Sequence, residues 1–154
     1  MGCDWVAIRN LVVSLSFFVG FATTSAMFAW LWNRYAPGGP WRTIVAKISY
    51  SAAATWCATA LVLLAILMST LRSYCACTAA IAACATACSQ LTPWLPLLLG
   101  ALFVLAALCF VAIFDVAFNE TPAFEVAHGL AVGAVVALMI TLALFAAPVV
   151  SCQP

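Results

Sequence analysis

Four long apolar runs dominate this chain, and each is bounded by a short polar or proline-containing interval. They lie at about Asn10–Trp32, Val45–Leu71, Trp94–Phe118 and Val126–Val149. A helix needs roughly 20 apolar residues to cross the hydrocarbon core of a bilayer, and each run supplies them. None alternates with a period of two. Backbone groups in lipid must be satisfied within the spanning structure, so a closed barrel is excluded and helices remain. Pro37-Gly38-Gly39-Pro40 stops the first span, Pro93 and Pro96 bracket the start of the third, Pro122 splits the third loop, and Pro148 closes the fourth span. The links are short except the second, about Arg72–Pro93, and short links favour antiparallel neighbours. The pattern predicts an all-α integral membrane protein. It is a single domain over residues 1–154, with four transmembrane helices in an up-down bundle. The first span exceeds the 7–15 residues typical of a signal-peptide core, so it is expected to stay as a helix.

Composition fixes the class. Hydrophobic residues make up 68% of the 154 and charged residues 6%, against about a quarter charged in soluble domains. A net charge of +1 gives no electrostatic case for nucleic acid. The expected surroundings are the lipid bilayer and other membrane protein subunits, or further copies in a homo-oligomer. No cofactor motif is present, and none is expected to bind. Trp5, Trp30, Trp32, Trp41 and Trp94 fall near span ends, where indole rings favour the interface. Trp56 is mid-span and is expected to pack between helices.

Four crossings separate the remaining chemistry into two faces. Cys3, Cys75, Cys77, Cys84, Cys88 and Cys152 lie on one face. Arg34, Arg42 and Lys47 lie on the other, with Asp115, Glu120, Glu125 and His128. The first loop carries three of the five basic residues, so the positive-inside rule places it in the cytoplasm. The cysteine face is then exoplasmic and oxidising, in the plasma membrane or an endomembrane, or else in an organellar membrane. Two features point the other way. Met1-Gly2-Cys3 is a partial acylation motif, lacking Ser or Thr at position 6. Asn119-Glu120-Thr121 is a formal glycosylation sequon, although Pro122 follows it.

The six cysteines form the first candidate site. The alanine-rich segment Thr78–Ser89 is a good helix former, predicted to be a short helix lying on the bundle. There Cys77, Ile81, Cys84 and Cys88 would share one stripe. The main expectation is disulfide stapling of the second loop to Cys3 and Cys152, with 15 possible pairings. The competing readings are acylation or plain burial, a zinc site without paired C-x₂-C spacing, and a thiol relay on Cys75-Ala76-Cys77. Cys57 and Cys109 are mid-span and read as small packing residues.

The charged face is the second. Asp115 sits about one turn inside the third span, where an unpaired acid is costly. Glu125 and His128 stand at i and i+3 and point the same way. These three either join Arg34, Arg42 and Lys47 in ion pairs that hold the bundle end, or line a cation or proton path. A di-iron site would need a second Glu-x-x-His. Arg9 and Asp115 cannot pair, because the first and third helices run parallel and the two residues lie at opposite membrane faces. Finally, Ser16, Gly20 and Thr24 on the first helix, and Gly129 and Gly133 on the fourth, form small-residue stripes suited to helix packing. Phe17, Phe18, Phe21 and Phe28 are expected to face lipid or a partner.

The favoured function is a non-enzymatic tetraspan scaffold or accessory subunit of a larger membrane assembly. The alternatives are a small oligomeric channel or transporter using Asp115, Glu125 and His128, and a membrane thiol-disulfide oxidoreductase using the loop cysteines.

Overall fold

The computed structural model describes residues 4–151 and is helical almost throughout, with no strand among them. Helix α1 spans Trp5–Tyr35, α2 Pro40–Cys77, α3 Ala82–Leu91, α4 Trp94–Phe114, α5 Val116–Asn119 and α6 Pro122–Ser151. Four helical stretches are long and apolar enough to cross a membrane, with α3 and α4 counted as one. Helices α1, α2, α4 and α6 close a ring in that order, α1 returning to α6. Each long helix packs on its neighbours in sequence, as short connections require.

Local chemistry sets the ends. The Asp4 carboxylate accepts from the Ala7 N–H at 3.0 Å and caps α1. Gly39 precedes Pro40 with φ +139°, a conformation open to glycine, and Pro40 then opens α2. Thus the Pro-Gly-Gly-Pro break acts where expected.

The core repeats every seven residues. Along α2 the buried positions are Ala46, Tyr50, Ala53, Cys57, Ala60, Leu64, Leu67, Leu71 and Tyr74. They alternate in steps of four and three. Helix α4 buries Leu95, Leu98, Leu102, Leu105, Cys109 and Ala112 in the same rhythm. So do Ile8, Leu15, Val19, Ala22, Ala26, Ala29 and Asn33 of α1. A sustained 3.5-residue period is that of left-handed knobs-into-holes packing. Small residues cluster toward one end, at Ala26, Ala29, Ala46, Ala53, Cys109 and Ala112. The fully buried Tyr50, Phe124 and His128 occupy that same end of the bundle. Trp56 packs between helices against Phe18 and Phe21 of α1, both at 5.7 Å. Phe18 is therefore partly buried, whereas Phe17, Phe21 and Phe28 face outward.

Several expected boundaries move. Helix α2 starts earlier and ends later than the apolar run. At 1.5 Å per residue it is about 57 Å long, so it overshoots the hydrocarbon and carries Cys75 and Cys77 on helix. The expected loop helix does not begin at Thr78. Thr78–Ile81 is a turn, and Ile81 is the exposed N-cap of α3. The stripe Cys77, Ile81, Cys84, Cys88 therefore does not exist. Helix α3 is the beginning of the third crossing, because Thr92 and Pro93 keep helical dihedrals between α3 and α4. Pro93 and Pro96 lack N–H donors, which explains the break between them. The third span stops at Phe114, not Phe118, because Asp115 is extended. Pro148 does not close α6, which runs on to Ser151. An exposed proline in the final turns removes one donor and leaves the last turn intact.

The seam yields a direct test. Leu64→Ala should destabilise the bundle by about 1–3 kcal/mol in reversible denaturant titration, since packing is lost while lipid replaces water as the outer solvent. Val62→Ala, on the outward face, should cost less than about 0.5 kcal/mol.

Candidate functional site

The two faces read from the sequence are the two ends of the bundle. At the charged end α1 finishes, α2 and α6 begin, and α5 bridges. Arg34 of α1 pairs with Glu125 of α6, and Arg42 of α2 reaches Glu120 at 3.4 Å. These pairs tie the first loop to the third, as the ion-pair reading expects. They line a cleft of about 450 Å³ with Trp30, Asn33, Tyr35 and Asn119.

Asp115 departs from its expected place. It is exposed beyond the end of α4, and its carboxylate accepts from the Phe118 N–H at 2.9 Å. It caps α5, a role local to its own turn. It has no ion pair among the described residues. It lies less deep than the apolar run suggests, because the residues after it belong to α5. Lys47 forms no ion pair among the described residues either. Glu125 and His128 share a helix but not an environment. Glu125 lines the cleft. His128 is 1% exposed, stacked on Phe124 and edge-on to Tyr50, with Nε2 lacking a partner. Among the described residues no three His, Cys, Asp or Glu side chains group as a metal site would require.

Sequence reading passed over Tyr50 and Asn33 here and read Asn119 only as a sequon. Tyr50 donates its hydroxyl to Asn119 Oδ1 at 3.0 Å inside the core, joining α2 to α5. Asn119 is thereby buried, so in this fold the sequon does not present its amide to a transferase. Asn33 is buried on the seam of α1. The available signal was position, since Tyr50 and Asn33 each fall on the seven-residue repeat of their helices.

At the opposite end Cys75 and Cys88 form a disulfide with Cα atoms 5.9 Å apart, joining the end of α2 to α3. Cys77 and Cys84 are disulfide-bonded as well. Cys3 and Cys152 lie outside the described residues, so the staple to the termini stands as an expectation. Cys57 and Cys109 are free thiols buried in the seam. The nearby Tyr74 hydroxyl donates to the Val149 carbonyl at 3.2 Å, drawing α2 to α6.

Between the ends the bundle offers no polar track among the described residues. Span hydroxyls bond within their own helix: Thr23 to the Val19 carbonyl, Thr59 to Thr55, Thr70 to Ile66 and Thr141 to Ala137. Both glycine-bearing stripes point outward. Ser16, Gly20, Thr24, Gly129 and Gly133 are exposed, and a Cβ placed on any of the three glycines would meet open space. Packing of these stripes inside the bundle is thus overturned. The physical reason is that alanines already make the close contacts on the inner seam. Ser16 and Gly20, with Val136, Ile140 and Ala143, instead line an outward groove between α1 and α6 of about 300 Å³.

Comparison with known proteins finds no family model, curated protein or solved structure that matches the chain.

The cystine end supports a stability prediction. Cys88→Ser removes a cross-link that closes 13 residues of sequence, worth about 3 kcal/mol by loop-closure entropy. A fall in melting temperature in detergent of several degrees should follow, with wild type treated with reductant falling at least as far, since Cys77 and Cys84 are disulfide-bonded too. An unchanged melt in both would mean that this cystine does not restrain the fold.

Proposed function

We propose that this protein is a non-enzymatic tetraspan subunit, a scaffold or accessory chain within a larger membrane assembly. The observation that carries the reading is the outward position of the small-residue stripes. Within the bundle the glycines serve no close contact, yet they lie where a neighbouring backbone could approach. Gly20 borders the groove between α1 and α6. Gly129 and Gly133 share a helix face with Val136, Ile140 and Ala143 on the groove's α6 side. Lipid tails gain little from such a surface, whereas a helix gains van der Waals contact over its length. A packed apolar seam and self-satisfied hydroxyls suit a chain that holds neighbours in place and give a channel nothing to conduct through. The cystine-bonded end fits an exoplasmic location, with the arginine-bearing first loop in the cytoplasm.

Substitution in the stripes separates assembly from folding. Gly20→Leu and Gly133→Leu have room for their side chains, so the isolated bundle should melt as wild type does. The complex purified in mild detergent, homo-oligomer or mixed, should lose its larger species on size exclusion. If the assembled size survives both substitutions, the stripes face only lipid and the subunit reading loses its support.

A further inference from the structure

The cleft at the charged end has more hydrogen-bonding capacity than the protein itself uses. Asn33 is 6% exposed and lines the cleft, and its amide has no hydrogen bond among the described residues. Arg42 Nε, in the same lining, is buried without a partner. Asn119 spends its Oδ1 on Tyr50, which leaves its NH₂ donors unused. Buried polar groups are nearly always paired, by water or ligand where protein does not serve. The spare groups are mostly donors, so what fits beside them is an acceptor-rich group such as a phosphate.

Charge narrows the choice. The lining holds two guanidiniums, Arg34 and Arg42, and two carboxylates, Glu120 and Glu125. It is neutral overall. An anion alone would sit beside two carboxylates, and a cation alone beside two guanidiniums, so each meets like charge as well as opposite charge. A zwitterion can set each of its charges beside the opposite one. Its phosphate would face Arg42 Nε and Asn33, and its ammonium Glu120 and Glu125. Location supplies the source. The lining residues stand where α1 ends and α2 and α6 begin, at the depth where apolar helix gives way to polar loop. Trp30 and Tyr35 flank the opening, and such rings favour the headgroup layer. The cleft volume of about 450 Å³ falls in the range of small-ligand sites.

We infer that this cleft binds the headgroup of a zwitterionic phospholipid with a primary ammonium, a phosphatidylethanolamine. A soluble phosphoester with the same ammonium shares the chemistry, so the test must separate the two. The full chain, delipidated in mild detergent, is titrated with phosphatidylethanolamine, phosphatidylglycerol or soluble phosphoethanolamine, and read by native mass spectrometry. Wild type should retain phosphatidylethanolamine at least about ten-fold more tightly than phosphatidylglycerol, the factor that one well-made polar contact supplies. Asn33→Ala and Arg42→Lys should each weaken retention of phosphatidylethanolamine about ten-fold, since both face the phosphate, and Glu120→Gln should remove the preference over phosphatidylglycerol, with the Cys75–Cys88 cystine intact as a check on folding. Arg42→Lys keeps the positive charge and deletes the Nε donor. Equal retention of phosphatidylglycerol by wild type would overturn the site, and this result needs no variant to fold. Unchanged retention in Asn33→Ala and Arg42→Lys, or a preference that survives Glu120→Gln, would overturn the assigned residues. Binding of soluble phosphoethanolamine as tight as that of the lipid would overturn the membrane as its source.

Discussion

The seven-residue seam along α2 is the constraint on which the rest of the molecule depends. Lipid surrounds the helices, so apolar side chains gain little by turning inward, and helix association rests on close packing. A period of 3.5 residues keeps one face of each helix against its neighbours across the whole crossing. Tyr50, Cys57, Leu64 and Leu71 mark that face at intervals of seven. From it follow the ring of α1, α2, α4 and α6, and an apolar interior that has no polar track among the described residues.

The ends are then built differently. At one, small inner residues leave room for Tyr50, Phe124 and His128, and two arginine–glutamate pairs close over a polar cleft. At the other, cystine chemistry and the Tyr74 hydroxyl tie α2 to α3 and α6. Pro93 and Pro96 interrupt the helical hydrogen bonding of the third crossing, and α3 carries Cys84 and Cys88 buried against the bundle.

The crossings were legible because lipid demands long apolar helices, and breakers such as Pro-Gly-Gly-Pro announce their ends. Which face turns inward was not legible by hydrophobicity, since the lipid-facing side is as apolar as the core. Outward Phe103 and inward Leu102 on α4 look alike to any apolar count. That ambiguity left open whether the glycine stripes pack within the bundle or against a neighbour; in the folded chain they lie on the outside. Asp115 was misjudged for a related reason. An apolar run continues past it, but one extended residue divides α4 from α5, and no hydropathy pattern reports a single dihedral. The expected partner Glu125 pairs with Arg34, although only the folded chain showed Glu120, rather than Asp115, as the second partner. Asn33 passed unnoticed, and Asn119 was read only as a sequon, because each sits at a span end, where polar residues need no special explanation.

The packed interior is the claim that separates a structural subunit from a conduit. Cys57 and Cys109 are native reporters of it, free thiols on the seams of α2 and α4 with no exposed surface. The most direct measurement exposes the reconstituted protein in liposomes to a small, water-soluble, membrane-permeant thiol reagent, followed by intact mass. The packed seam predicts no added mass at either thiol until the protein is denatured, and then modification of both. Rapid modification of Cys57 or Cys109 in the folded protein would mean that water reaches the centre of the bundle, and would contradict this account.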